Sequence, residues 1–499
     1  MTIELINRLM NELNNSHVVY CHWKSNYSLA ESFSSNMDID LIVDRRDLSN
    51  ALIILANLGF KQATIRFGMM PSGIFHYYGF DFQTSQLIHV HLFNRILTGE
   101  SFVKSHLFPF ESMLFEKTYN IGQITVTSKT AELVLFVMRT FIKYGSLLDL
   151  MYLISKSEDI KAELRWLMAD NDISESLSML KTYCPVVDKE LFLTCIEALE
   201  SKGFPFKRIV LAQRMRRRLH IYAIDNLLRH TFSYIQLLWE QGIRHLNGNK
   251  KNKMPSAGGM VIAFVGPEAT GKSTLVSESK KWLSQTFAVN SVHAGKPPSS
   301  WITAPINMVL PLTRQLWPRL RSSRLEGHVS DSDREETLPK LTGLSGIIYA
   351  LRSVSLAWDR RQLLIRARRL AARGEIVICD RYPSETVGAM DSPRLQENRS
   401  TGGLLGIIFN SFAHLESQLY TEIPPPDIVL KLKVSVETAK KRNQERIKVG
   451  KETDEYLESR HRQSQEWNKS GTKYIYEIDT EQSLAETISC VKNAIWESI

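Results

Sequence analysis

The sequence predicts an α/β protein: a parallel sheet flanked by helices in the C-terminal half, preceded by an α+β domain and a helical segment. Three observations carry this. Beyond residue 259 strand and helix patterns alternate: strands over 261–265, 288–293, 376–379 and 428–434, with helices from Lys272 and over 347–372. The loop Gly266-Pro-Glu-Ala-Thr-Gly271-Lys272-Ser273-Thr274 joins the first strand to the first helix. Residues 247–259 are polar, charged and glycine-rich, as an exposed linker would be. The expected domains are therefore 1–127, α+β; 128–246, helical; 247–259, linker; and 260–499, the α/β domain.

In the first domain short β-rich runs (18–20, 39–43, 87–92) surround a helix over 47–58 that Gly59 ends. In the second, apolar residues recur at three- and four-residue spacing over 131–142, 147–154 and 209–246, which predicts helices. The basic run 214–218 reads as a solvated helix face rather than a nucleic-acid patch. In the last domain, residues 319–345 are polar and broken by Pro339 and Gly343, which predicts a loop or insertion over the substrate side.

Composition narrows the class. With 43% hydrophobic and 23% charged residues, the chain can bury substantial cores. A net charge of +9 over 499 residues is modest and suits small anionic substrates; nucleic acid is not an expected partner. Five scattered cysteines without C-x-x-C spacing argue against a disulfide framework or zinc site, and for a reducing compartment. The N-terminus lacks the apolar core of a signal peptide and no apolar run reaches membrane-span length, so a cytoplasmic protein without a membrane partner is expected.

The 266–274 loop carries the chemistry. A buried strand, a glycine-bounded turn and a helix starting at Lys272 aim backbone N–H groups and a helix N-terminus at a phosphate chain. Gly266 and Gly271 permit the turn, Lys272 reaches the outer phosphates, and the Ser273 hydroxyl, followed by Thr274, can ligate Mg²⁺. ATP and Mg²⁺ are thus the expected cofactors. A second apolar strand ends in Asp380-Arg381-Tyr382, where a strand-terminal carboxylate can hold Mg²⁺ or its waters.

Four features in order give residues 258–499 a resemblance to the thymidylate kinase family of P-loop nucleoside-monophosphate kinases. They are G-x-E-x-x-G-K-S-T at 266–274, Trp358-Asp359-Arg360, Asp380-Arg381-Tyr382, and Pro426-Asp427 leading through a strand into an arginine-rich helix and lid. The resemblance implies that Glu268 contacts the acceptor sugar and that Arg360 lines the acceptor pocket. It also implies that Arg381 reaches the acceptor phosphate beside Asp380, while Arg442 and Arg446 belong to the region covering ATP. Departures are visible: position 269 is Ala, so the loop brings no arginine of its own, and the lid over 448–455 is rich in acid. The 319–345 segment lengthens the interval between Gly266 and Asp380 near the acceptor pocket.

Residues 15–125 resemble the nucleotidyltransferase superfamily through Trp23-Lys24-Ser25 and Asp38-Ile39-Asp40. Asp38 and Asp40 fall on one strand face, as a Mg²⁺-holding pair would. The glycine expected before the serine is Lys24, and the later strand that should bring a third carboxylate presents His89 and His91. The leading expectation is phosphoryl transfer from a nucleoside triphosphate to a small phosphorylated acceptor, a nucleoside monophosphate, by a chain that could form a homodimer. The alternatives are nucleotidyl transfer through Asp38 and Asp40, and a non-enzymatic nucleotide-gated regulator.

Overall fold

The computed structural model describes residues 3–29, 38–65, 71–99, 104–143, 157–169, 171–201, 205–225, 253–305, 344–386, 391–396, 404–445, 453–465 and 467–499, with a few isolated positions between them. It divides into two compact units, Met1–Asn252 and Lys253–Ile499.

In the first unit, β1 (Tyr20–His22), β2 (Asp38–Val43), β3 (Lys61–Ile65), β4 (Ile74–Asp81) and β5 (Gln86–Phe93) join one mixed sheet. A separate hairpin, β6 (Ile96–Thr98) and β7 (His106–Phe108), precedes the sheet strands β8 (Thr118–Ile121) and β9 (Ile124–Thr127). The sheet order is β3-β4-β5-β2-β1-β9-β8, and β2 runs parallel to β5. Period-two alternation sorts β2: Ile39, Leu41 and Val43 pack beneath α1 (Glu4–Asn15) and α2 (Leu48–Asn57), while Ile42 faces the opposite core. Asp38 and Asp40 share Ile42's face.

That second core is shared by strands and helices. α3 (Lys129–Lys143) is apolar almost all round and buried along most of its length. Around it lie α4 (Ser157–Met168), α5 (Ile173–Tyr183), α6 (Lys189–Glu200) and α7 (Pro205–Arg218), joined in one cluster with Cys21, Trp23, Ile42 and Phe93 of the sheet. The two segments expected as separate domains thus share a continuous core. The long helix expected over 209–246 stops at Arg218 and passes into a 3-10 turn, Leu219–Tyr222. Residues 147–154 lie outside the described residues. Within the 214–218 run, Arg216 donates to Ile142 O at 2.7 Å and Arg218 pairs with Asp188 at 2.9 Å, so part of the basic face is structural.

The second unit is a five-stranded parallel sheet of order β11-β12-β10-β13-β14. These are β10 (Met260–Val265), β11 (Val289–His293), β12 (Ile376–Asp380), β13 (Ile428–Lys433) and β14 (Tyr474–Asp479). β10 is central and all six of its residues are buried, as a strand covered on both faces requires. One face packs on α9 (Leu344–Ala372) and α10 (Leu404–Thr421), through Ala357, Leu364, Ala367, Ala371 and Leu419. α8 (Lys272–Leu283) and α13 (Leu484–Ser498) pack on each other, with Trp282 and Trp496 edge to face at 6.5 Å. A capping box between Ser483 and Glu486 starts α13. The expected linker ends early, because Lys253 bridges Phe287 and accepts from Ala288 N at 2.9 Å. Four of the five cysteines are buried free thiols. Among the described residues no helix is long and apolar enough to cross a membrane.

At the entry to β10, a Cβ on Gly259 would stand 2.2 Å from Glu375 O and 2.5 Å from Ala371 O. Both obstacles are backbone and neither can swing aside. Gly259→Ala should destabilise this unit by about 3 kcal/mol, read as a lower urea midpoint; an unchanged midpoint would show that the strand entry can shift.

Candidate active site

The 266–271 loop leaves the end of the central strand, beside the point where the sheet order reverses. A Cβ on Gly266 would meet Leu432 O at 2.7 Å, so the close approach of two backbones dictates glycine there. Gly271, with φ 84, caps α8 in the left-handed region, and open space surrounds the position its Cβ would take. Ala269 also adopts positive φ, at 65°. Such a turn leaves the first N–H groups of α8 without side-chain caps, as an anion-binding helix start requires.

Lys272 is buried in this loop. Its ammonium donates to Gly266 O at 2.8 Å, to Pro267 O, and to Thr270 Oγ1 at 3.4 Å. Burial, then the Arg381 charge, push its pKa down to about 8, which leaves it cationic at neutral pH. Ser273 Oγ donates to Asp380 Oδ2 at 3.3 Å, and Thr274 is exposed. The Ser273 hydroxyl and Asp380 carboxylate are hard oxygen donors at the loop mouth and fit a Mg²⁺ ion that keeps most of its waters. Among the described residues no group of three or more His, Cys, Asp or Glu side chains is placed to hold a metal by itself.

Beside the loop lies a buried ion network. Glu268 accepts from Arg381 at 3.1 Å and from Arg460, on α12 (Asp454–Gln465), at 3.2 Å. Arg381 also reaches Asp391 at 3.3 Å. Asp391 in turn holds Arg360 at 3.2 Å. Arg360 is 1% exposed and donates further to Ala294 O at 3.0 Å and Tyr420 Oη at 2.6 Å. Burial opposes ionisation of Glu268, but Arg460, Arg381 and Lys272 outweigh it and hold the carboxyl down at about 2. Asp391 is held below its usual range in the same way, with Arg360 the foremost of its partners.

The backbone is shaped for this contact. Arg381 has φ 71 and donates its N–H to Phe264 O at 3.0 Å. A Cβ on Gly295 would lie 2.5 Å from Arg381 Cδ, so a side chain there would displace the guanidinium.

Glu268, Lys272, Ser273, Arg360, Asp380 and Arg381 therefore gather at one end of the sheet. Arg442, on α11 (Val436–Glu445), does not join them; it donates to Thr480 O at 2.6 Å and braces the turn after β14. Arg446 lies outside the described residues, as do 319–343 of the expected insertion and 448–452 of the lid. Asp391, Arg460 and Tyr420 were not singled out as site residues. Arg460 is one of four arginines in that stretch, with Arg442, Arg446 and Arg462, which spacing alone does not separate, and Asp391 lies in an irregular loop without periodicity.

In the first unit the register sets Asp38 against His89 and Asp40 against His91. Both carboxylates already carry protein partners. His89 Nδ1 lies 2.5 Å from Asp38, while Lys24 and His91 lie 2.8 and 3.1 Å from Asp40. With burial opposing, Lys24 and His91 still keep the Asp40 carboxyl strongly acidic.

No family model matches the chain. An uncharacterized ATP-binding protein, YghR, from Escherichia coli K12 is 27% identical over 183 residues, covering 36% of this chain and 67% of that protein. Among solved structures, a deoxyadenosine kinase from M. mycoides with dCMP and dCDP bound covers 48% of this chain and all of its own, at 17% identity and a TM-score of 0.28. A thymidylate kinase from Candida albicans covers 48% of this chain and 90% of its own, at 17% identity and a TM-score of 0.27.

The folded pKa of Glu268 lies below its ordinary 4.5, so its stabilisation is complete above that pH and is lost as pH falls through about 2. Glu268→Gln should cost about 2 kcal/mol at pH 7 and flatten the acid limb of the unfolding midpoint. Superimposable acid limbs for the two proteins would contradict the network.

Proposed function

We propose that residues 253–499 form an ATP-dependent kinase that phosphorylates a small anionic acceptor, a nucleoside monophosphate in the first instance. One observation carries the reading. Beside a glycine-bounded phosphate loop, Arg360, Arg381 and Arg460 converge around two carboxylates, leaving a surplus of positive charge next to Lys272. Phosphoryl transfer asks a protein chiefly for positioning and for positive charge around the transferring group.

In this reading the loop N–H groups and Lys272 hold the triphosphate. Ser273 and Asp380 would hold Mg²⁺, which when bound neutralises charge on the phosphates. Arg381 draws the acceptor phosphate toward the loop while Glu268 and Asp391 fix its guanidinium. Arg360, through Asp391, positions Arg381. Arg460 sits on α12 and reaches Glu268, so closure of that helix can bring its charge to the reacting groups. The ATP-binding name of the Escherichia coli relative agrees with this reading. Buried free thiols suit a reducing, cytoplasmic setting.

The α+β portion resembles a nucleotidyltransferase in its paired aspartates, yet Asp38 and Asp40 face histidine and lysine rather than a third carboxylate. We assign it no nucleotidyl transfer.

The direct test is ADP release from MgATP across a panel of nucleoside monophosphates that includes thymidylate. Lys272→Ala should lower turnover by about a hundredfold or more. Equal turnover with and without Lys272, or no turnover on any acceptor, would sink the proposal. Asp391→Asn should raise KM for the acceptor about tenfold with little change in KM for ATP, because it loosens Arg381 but leaves the loop intact. An equal rise in both constants would place Asp391 elsewhere in the mechanism.

A further inference from the structure

Glu416 lies on α10, one turn before Tyr420, so the two side chains stand on the same side of that helix. Both are buried. One oxygen of Glu416, Oε2, accepts from the backbone N–H of Arg394 at 3.0 Å and from that of Leu395 at 2.8 Å. The Leu395 side chain joins Ala350 of α9 and Ala413 of α10 in a small apolar core. One turn along, Tyr420 Oη accepts from Arg360, which donates in turn to Asp391 Oδ1 at 3.2 Å and to Asp391 O at 3.3 Å. The 391–396 segment is thus tied to α10 twice: directly by Glu416 near its end, and by way of Arg360 at its start.

This segment needs such ties. It forms no helix or strand, so its N–H groups must find partners outside it. Asp391 has φ 61, a left-handed conformation that a residue other than glycine keeps only where its surroundings fix it. Its second oxygen meets Arg381 at 3.3 Å. If the N–H groups of Arg394 and Leu395 lost their acceptor, the turn could relax and Arg381 would keep Glu268 alone.

Stability by itself does not account for an acid at position 416. Its Oε1 is buried without a hydrogen-bond partner among the described residues. Burial raises its pKa, and the two N–H bonds, with the charges of Arg394 and Arg360, offset only part of that rise. A buried carboxyl with one oxygen unmet carries a cost that an apolar side chain of similar size would not. What the carboxyl supplies is one oxygen at a fixed point, able to take two N–H groups at once.

We infer that Glu416 is a positioning residue of the acceptor side: by clamping the N–H groups of Arg394 and Leu395 it holds Asp391, and through Asp391 it sets the Arg381 guanidinium that receives the acceptor phosphate. The role rests on the kinase reading of this unit. Glu416 acts only through the 391–396 segment, so ATP held by the 266–271 loop should not sense it.

Two substitutions separate the oxygen from the charge. Glu416→Asp keeps the charge and withdraws the oxygen by one methylene; Glu416→Gln keeps an oxygen at the same reach and removes the charge. The readout is steady-state turnover with MgATP and the nucleoside monophosphate that the wild-type chain uses best, with urea midpoints confirming that each variant folds. Glu416→Asp should raise KM for the acceptor about tenfold and leave KM for ATP within about twofold of wild type. Glu416→Gln should bring the acceptor KM back to within about threefold of wild type. Added to Asp391→Asn, Glu416→Asp should change almost nothing further, because both loosen the same guanidinium. The role is overturned if Glu416→Asp leaves the acceptor KM unchanged or raises both constants equally. It is overturned too if Glu416→Gln is as impaired as Glu416→Asp, or if the double variant multiplies the two effects to about a hundredfold. A wild-type chain that turns over no acceptor removes the kinase reading and this role with it. Any of the four results in a chain whose wild type is active removes this role alone.

Discussion

The second unit depends on the bond between Arg381 and its two carboxylates. Glu268 comes from the 266–271 loop and Asp391 from the segment after the second buried strand; one guanidinium spans them. Burying ions is costly, and such a pair adds little net stability over an apolar replacement. Its effect is geometric. Removing any member would leave an uncompensated charge in a site that water barely reaches, so loop, strand end and α9 are held in one arrangement. Arg360 and Arg460 attach to the same two acids from different helices, which extends that constraint to the sheet's helical cover and to the lid side.

A balance of charge follows. Four cations, Lys272, Arg360, Arg381 and Arg460, face Glu268 and Asp391 within the network, with Asp380 beyond it at the strand end. The acids are numerous enough to fix the cations and too few to neutralise them. In a partly buried site such a surplus is felt strongly by a phosphate, because the surroundings screen it little. In the first unit Asp40 pairs with Lys24, and an imidazole, His91, takes the place at which the resemblance leads one to expect a carboxylate.

Much of this was legible in the residues. Continuous apolar runs read as buried parallel strands, and β10 is buried at every position. The glycine spacing of 266–271 matched the observed turn because Gly266 and Gly271 meet local requirements, a close approach to Leu432 and a left-handed cap. Asp38 and Asp40 fell on one face for the same local reason, the two-residue period of a strand. Less legible were β3 and β4, whose Lys61–Ile65 and Ile74–Asp81 lack clean alternation, and β14, whose residues are mostly exposed. The merger of strands and helices into one core could not be read either, since nothing in a single helix states which sheet it will cover.

What the sequence determined alone was therefore the set of locally encoded devices: the glycine-bounded 266–271 loop, the strand ending in Asp380-Arg381, the paired aspartates and the alternation that makes the parallel sheet. Those depend on residues a few positions apart. Tertiary structure decided which distant side chains meet. It chose Arg460 over Arg442 as partner of Glu268, and it recruited Asp391 from an irregular loop. It also set Lys24 on Asp40. Ion pairs between groups far apart in the chain depend on packing and desolvation, and no periodicity records those in advance.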